Sequence, residues 1–422
     1  MSNGKQGLYI TIRARHSNEG GRHNMTEENN KKKTVINFDE YIRQGEPDKK
    51  EKAYIWQTAI GLQAVDGLKT SDYLKETAKR NIEGEITVDE VGRLIKSYYQ
   101  SKTQRELDDD EKKEADHAAT NISKILSVRT LDFSTPGYVS LHRRIFDGVF
   151  KHAGKLRTYD ITKKEWVLNG DTVSYLNKED LRRALDYDIE QERQFSYKGL
   201  SIDEIIQHIT QFVSGLWQIH AFGEGNTRTT AVFTILYLRS IGFDISNDLF
   251  SKHSWYFRNA LVRANYKNAR LGIDYTPIYL ERFFRNLLLG EQWDLQNRFL
   301  HIQASEEWKE QPHLEDYKNA GQEQDKYGTS KRGGKNQFDT DNHNIQLLIL
   351  AVGEMQLSVK EMMEALSLKG RDNFLKVYLN PAIEEQYIHL LYPNSPRHPR
   401  QKYLLTVKGL ALYNEILQNK KS

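Results

Sequence analysis

The stretch His220-Ala221-Phe222-Gly223-Glu224-Gly225-Asn226-Thr227-Arg228-Thr229 separates two runs of helical period, and that placement decides the architecture. Upstream, IIQHITQFVSGLWQI brings Ile205, Ile209, Phe212, Val213, Leu216 and Ile219 to one helix face. Downstream, AVFTILYLRSIGF (231–243) is apolar nearly all round, which predicts a central helix. The loop between them therefore hands the N-terminus of a buried helix to whatever lies beside it. Such a terminus offers unpaired backbone N–H groups and a positive dipole end, both suited to phosphate. Asn226 adds a side-chain donor, and Arg228 a fixed charge with a bidentate fork. Glu224 is a hard oxygen ligand placed to hold Mg2+ against those phosphates. His220, closing the upstream helix, is able to take a proton from an attacking hydroxyl. Any one of these groups would be unremarkable at a helix end, but an ordinary connector has no need of all of them.

Working outward, LHRRIFDGVF (141–150) predicts a helix with Leu141, Ile145, Phe146 and Val149 on one face. KLRTYDITKKEWVLNGDTVSYL (155–176) changes character: it is rich in Thr, Tyr, Trp and Val, turns at Asn169-Gly170, and predicts a short β-hairpin. Toward the N-terminus, AYIWQTAIGLQAV, SDYLKETAKRNI and TVDEVGRLIKSYYQ predict three short helices broken at Asp66-Gly67 and Gly84, with Thr87 and Glu90 forming a capping box. Residues 1–50 are polar, include the run Lys31-Lys32-Lys33, and predict a flexible leader. Residues 301–340 are polar and Gly-containing, as in a linker. The last 80 or so residues regain core composition: VKEMMEAL and RDNFLKVYLNPAIEE predict helices, and YIHLLYPNSPRHPRQKYLLT two strands around a Pro-rich loop. Helix, helix and hairpin in that order suggest a winged helix.

Composition sets the outer bounds. The chain has 422 residues, enough for several domains, with 61 Lys+Arg against 58 Asp+Glu and no cysteine. Without cysteine there is no disulfide framework, thiolate nucleophile, Cys-ligated zinc or Cys-held cluster. The near balance of charge gives no global field pointing to nucleic acid or an anionic membrane. No apolar run approaches a membrane span, Ala231–Leu238 being the best candidate, and the N-terminus has no signal-peptide core. A soluble cytoplasmic protein with no membrane partner is the expectation.

The loop resembles the signature of the Fic family, H-x-F-x-[DE]-G-N-x-R, in residue types and in spacing, and its surroundings, including LHRRIFDGVFKHAGKLR and SWYFRNALVRAN, extend the resemblance over roughly residues 106–290. The resemblance implies a mainly α fold: a helical core with a β-hairpin flap that binds ATP and transfers AMP to a Ser, Thr or Tyr hydroxyl of a target protein. Carried over, His220 is the general base, Glu224 holds Mg2+, Gly225, Asn226, Thr227 and Arg228 form the anion hole, and Phe222 anchors the loop. The flap would align an extended target segment by strand addition, with Trp166 and Val167 near its centre. Tyr256 and Asn265 are further candidates for the nucleotide pocket. Two positions depart from the pattern: Thr227 stands where a Gly is usual, and Ala231 where a second Arg binds the γ-phosphate. The Doc-type branch, which phosphorylates its targets, departs at the first position too, so a phosphotransferase stays open.

The 51–105 helices resemble the antitoxins that silence Fic enzymes through [ST]-x-x-x-E-[GN]. Asp66-Gly67 falls at the Glu-Gly position with Leu62 in place of Ser or Thr, and a second register sets Glu83-Gly84 after Lys79. The expected organisation is leader 1–50, inhibitory helices 51–105, catalytic core 106–300, linker 301–340 and winged helix 341–422. Deleting 1–105 is then expected to raise activity. The wing carries Arg397, His398, Arg400 and Lys402; protein contact is preferred to DNA there, and homodimerisation and self-modification stay open. The competing class is a regulatory protein that senses nucleotide and uses the winged helix for DNA or a partner.

Overall fold

The structure, a computed structural model, describes residues 38, 47–101, 109–128, 130–245, 248–304 and 336–419. Most of the expected leader and of the expected linker lies outside them.

The N-terminal helices are α1 (Pro47–Gly61), α2 (Asp72–Ile82) and α3 (Val88–Ser101), with a 3-10 turn, Leu62–Asp66, after α1. Gly67 ends that turn at φ 76°, a left-handed conformation that favours glycine. Thr87 and Glu90 do form the reciprocal cap of α3: Glu90 N donates to Thr87 Oγ1 at 3.2 Å and Thr87 N to Glu90 Oε2 at 2.7 Å. α1 is no loose appendage. Its Ala53, Trp56 and Ala59 are fully buried, and it packs on α4 (Asp109–Leu126) and α9 (Asp248–Lys252). Asp116 of α4 accepts from Ser71 N at 2.8 Å and from Tyr99 Oη at 2.8 Å, tying α2 and α3 to the same helix.

The core follows as α5 (Thr135–Ile145), α6 (Leu181–Gln194), α7 (Ile202–Ile219), α8 (Asn226–Ser240), α10 (Ser254–Ala264) and α11 (Ile278–Leu289). The six apolar positions read from the period of α7 are all buried, and a Ser201–Glu204 capping box starts the helix. Every residue of α8 from Asn226 to Leu238 is buried, as its all-round apolar pattern predicts. α5 departs from expectation. Ser134 caps it and it ends at Ile145, so Phe146 and Val149 belong to the exit loop rather than to the helix face. Gly148, at φ 74°, makes the turn there.

The expected hairpin of residues 155–176 is a hairpin in path only. Glu165 N donates to Asp171 O at 2.9 Å around the turn, but the tip Trp166–Leu168 is a 3-10 turn and the described residues of this segment form no strand. Its β-prone residues find no neighbouring sheet to pair with, which is the context that β-propensity expresses. The described strands lie instead near the C-terminus, where β1 (Ile388–Leu390) and β2 (Tyr403–Leu405) pair antiparallel with Ile388 opposite Leu405. They pack with α12 (His343–Val352), α13 (Val359–Ala365), α14 (Arg371–Phe374 continuing through a π turn, Leu375–Leu379, into Asn380–Glu384) and α15 (Val407–Asn419) around a core that includes Leu348, Met362, Phe374 and Leu379. α15 is fastened to the catalytic core by Asn414 Nδ2 donating to Leu200 O at 3.0 Å. No helix among the described residues is long and apolar enough to cross a membrane.

Candidate functional site

The loop between α7 and α8 is held from three sides. Gly225, at φ 73°, begins α8, and a Cβ there would sit 2.2 Å from Phe146, so both conformation and space require glycine. Asn226 closes the loop on itself: its Oδ1 accepts from Phe222 N at 2.9 Å and its Nδ2 donates to Phe222 O at 2.7 Å. Its amide is therefore a brace for the loop rather than the free phosphate donor its type suggested. Phe222 is fully buried and stacks on His142 at 3.7 Å, the anchoring its place in the motif implied. Thr227 does not crowd the helix terminus, because its hydroxyl accepts from Trp217 Nε1 at 3.0 Å and turns into the core.

His142, which sequence reading passed over, fixes the loop by its tautomer. Gly154 N donates to its Nδ1 at 2.8 Å, so Nε2 carries the proton and donates to Glu224 O at 3.1 Å. Burial pushes its pKa down to about 4, against the opposing effect of the Glu224 hydrogen bond.

His220 sits at the C-cap of α7 in the left-handed region, φ 49° and ψ 54°, a conformation that costs a non-glycine residue roughly 1–2 kcal/mol. Arg157 holds it there. Its Nε donates to His220 O at 2.8 Å, its Nη1 to Tyr159 O at 2.7 Å and its Nη2 to Leu176 O, while its backbone N donates to Ala221 O at 2.9 Å. One buried guanidinium thus ties both ends of the 155–176 segment to the loop. The imidazole packs against Tyr175, ring centroids 4.2 Å apart, and neither ring nitrogen has a hydrogen-bond partner among the described residues. Burial, then the positive charges of Lys163, Arg157 and Arg258, hold its pKa well below the ordinary histidine value. The ring is neutral at neutral pH, with a lone pair available to accept a proton.

Beside it, the first turn of α8 precedes the first intrahelical bond, Thr229 N to Gly225 O at 3.0 Å, and so presents its N–H groups and the positive helix end. Glu224 is exposed at this mouth, and its carboxylate makes no hydrogen bond or ion pair among the described residues. No cluster of three or more His, Asp or Glu that could hold a metal occurs among them either. A lone free carboxylate fits Mg2+ in the form it usually takes with nucleotides, shared between one side chain, water and phosphate oxygens.

Arg228 is in the opposite condition. Its Nη1 donates to Gln63 Oε1 at 2.9 Å, its Nη2 to Glu114 Oε1 at 2.7 Å, and its Nε lies 2.7 Å from Asp66 Oδ2, with the guanidinium over Phe146 at 4.7 Å. Gln63 is aimed by its own bond to Ala59 O at 2.8 Å. Of the two registers, the structure thus brings Asp66-Gly67 to the site and leaves Glu83 paired with Lys49 at 3.0 Å. The partner of Asp66 is the first Arg of the motif, whereas position 231, a fully buried Ala, offers none. Lys163, on the flap, was also missed. Burial lowers its ammonium pKa while the carboxylates of Asp66, Glu165 and Glu224 oppose that, which places it in the field of the same site.

Other expected positions fall elsewhere. Tyr256 is fully buried and its hydroxyl donates to Tyr279 O at 3.2 Å; Asn265 Nδ2 donates to Ser214 Oγ at 2.9 Å. Both serve helix packing, which removes them from the nucleotide pocket. Val167 is fully buried with its carbonyl accepting from Ile302 N at 2.9 Å, so it cannot add a target strand, while Trp166 is exposed against His301. Arg258, bidentate to Glu165 at 2.6 and 3.1 Å, clasps the flap to α10.

The site is thus a helix-end anion cradle beside a neutral imidazole base. Residues 132–238 match the Fic/DOC family, and residues 343–406 match the filamentation induced by cAMP protein Fic-like C-terminal domain. Over these two regions the chain is thus similar to Fic family proteins. Protein adenylyltransferase VbhT of Bartonella schoenbuchensis is 23% identical over 214 residues, 47% of this chain and 43% of that protein's length. A solved Fic family protein from Desulfovibrio desulfuricans G20 is 16% identical over 87% of this chain and 90% of that one, with a TM-score of 0.38.

Proposed function

We propose that the protein is a protein adenylyltransferase, transferring AMP from ATP to a Ser, Thr or Tyr hydroxyl of a target protein, and that its N-terminal helices restrain it. The observation that carries this is the neutral His220, its ring nitrogens unpartnered, beside the N-terminus of α8. His220 accepts the proton of the target hydroxyl as its oxygen attacks the α-phosphorus; the bond to the β-phosphate bridging oxygen breaks and pyrophosphate leaves. The first-turn N–H groups of α8, from Gly225 through Thr227 and Arg228, stabilise the charge on the phosphate oxygens. Glu224 would hold Mg2+, which when bound would supply further neutralisation of that charge. Trp166 is the side chain left to dock a target along the flap. The relative named an adenylyltransferase lends the same chemistry support at the level of the family.

Restraint follows from Arg228. Gln63 and Glu114 take its two Nη groups and Asp66 lies against its Nε as an ion pair, so phosphate oxygens must displace them and meet the negative charge of Asp66 and Glu114. A charge-assisted hydrogen bond contributes about 1.5 to 3 kcal/mol, so each contact is worth roughly tenfold or more in occupancy. Deleting residues 1–105 is a poor test, because it would strip buried Trp56, Ala59 and Leu62 from α4 and α9. Single substitutions at Asp66 or Gln63 leave that packing intact.

Incubating the full chain, and its Asp66→Ala variant, with α-labelled or γ-labelled ATP and a cell extract as the source of targets tests the proposal. Label entering protein from the α position only is expected. Label from γ only would replace it with a Doc-like phosphotransferase. Binding of ATP without transfer by the folded variant would leave a nucleotide-sensing protein.

A further inference from the structure

The C-terminal helices carry a feature that the catalytic site does not use. α14 exposes Arg371, Asp372, Asn373, Lys376, Asn380 and Glu384, and the Arg, Lys and Asn side chains among them are neither paired nor hydrogen-bonded among the described residues. Its opposite face, with Phe374, Leu379 and Ala382, is buried in the domain core. A helix about 20 Å long thus carries Asn373, Lys376 and Asn380 on one face, with Glu384 one turn further on, and these side-chain types read base edges: Asn toward adenine, Lys toward guanine, Glu toward cytosine. Next to it runs the loop between β1 and β2, residues 391–402, which contains Arg397, Arg400 and Lys402 and no acidic residue. A groove of about 760 Å³ lies between this loop and the starts of α13 and α14, with Arg371 and Arg397 on its walls.

The loop is braced. Gln401 spans it, its Oε1 accepting from Tyr392 N at 3.0 Å and its Nε2 donating to Tyr392 O at 3.0 Å, while Tyr392 packs on His398 at 4.1 Å. Its cations are therefore held in place before a partner arrives, which lowers the ordering entropy of association. Of the cations around the groove, Lys360 faces Glu364 at 3.8 Å, while Lys369, Arg371, Arg397 and Arg400 are in no ion pair among the described residues.

We propose that this face binds duplex DNA, with α14 entering the major groove and the β1–β2 loop resting on the flanking phosphates. The chain's net charge of +3 hid the β1–β2 loop, which is basic throughout, although Asp372 and Glu384 of α14 and Glu364 of the groove wall are exposed beside it. The polar stripe decides the class of partner. An acidic protein segment would need the cations alone, whereas exposed Asn373 and Asn380 on the same helix face suit base edges. The deep, narrow major groove of A-form RNA does not admit a helix.

The test is fluorescence anisotropy of the full chain with a labelled 24-base-pair mixed-sequence DNA duplex between 50 and 200 mM salt. Binding that weakens at least tenfold over that range is expected. The exposed double variant Arg397→Glu/Arg400→Glu should weaken it at least tenfold further, and Asn373→Ala/Asn380→Ala should reduce discrimination between duplexes selected from a random pool and unselected ones. Thermal melts of each variant check that the fold is kept, and a folded variant that binds like the parent in both experiments overturns the assignment. So do absence of binding at 50 mM salt, equal affinity for double-stranded RNA of the same sequence, and tighter binding of a polyglutamate peptide than of the duplex.

Discussion

Two residues of one motif, His220 at the end of α7 and Arg228 in the first turn of α8, are in opposite chemical states. At His220 the backbone is clamped by Arg157 and the imidazole is left bare, with a depressed pKa and two unpartnered nitrogens. At Arg228 the side chain is engaged by hydrogen bonds to Gln63 and Glu114 and an ion pair with Asp66, drawn from the N-terminal turn and from α4. On the proposed function, the imidazole is free to accept a proton while the guanidinium that would meet phosphate is engaged. The difference locates the restraint on the anion side of the site. Asp66 lies against Arg228, and position 231 is a buried Ala with no charge to offer.

Breaking the His220 end should have the largest effect. In the Asp66→Ala background, His220→Ala is expected to lower α-label transfer by about 10²- to 10⁴-fold, the range of general-base catalysis, with ATP affinity by calorimetry unchanged. Retained transfer would remove His220 as the base. The rate should also hold as pH falls through 6.5, the ordinary histidine value, since the buried ring protonates only well below it.

The clamp behind the loop predicts an effect on stability. His142 has a folded pKa of about 4 against 6.5 unfolded, so its contribution is full above 6.5 and is lost as pH falls toward 4. The loss amounts to about 3 kcal/mol, 2.5 units at about 1.4 kcal/mol each. Denaturant unfolding at stepped pH should show it, and His142→Gln, which can keep both hydrogen bonds, should flatten that slope. An unchanged slope would mean that other groups carry it. Arg157→Met removes four carbonyl contacts, one of them to the left-handed His220 itself, and is expected to lower kcat about tenfold with little change in KM, since it misorients the base without touching phosphate.

Much of this was legible in sequence, for identifiable reasons. The α7 stripe, the all-buried α8 and the Thr87–Glu90 cap are local patterns, and local patterns survive folding. So was the motif loop, apart from its division of labour. Asn226 looked like a donor for phosphate and is instead a loop brace, because the two Phe222 backbone groups it satisfies have no sequence signature. Arg157, Gln63 and Glu114 act across 63, 165 and 114 residues, and no period or cap signals such contacts. The flap misled through composition: Thr, Tyr, Trp and Val favour strands only where a sheet is there to receive them. His142 did leave a trace, a histidine on the apolar face of α5 one turn before Phe146.

The most direct test of the restrained anion hole is initial-rate α-label transfer by the full chain against Asp66→Ala and Gln63→Ala at subsaturating ATP. Each substitution is expected to raise transfer about tenfold, and adding Arg228→Ala to Asp66→Ala should cancel the gain. Equal or lower transfer by folded Asp66→Ala, or a gain that survives the loss of Arg228, would contradict the account.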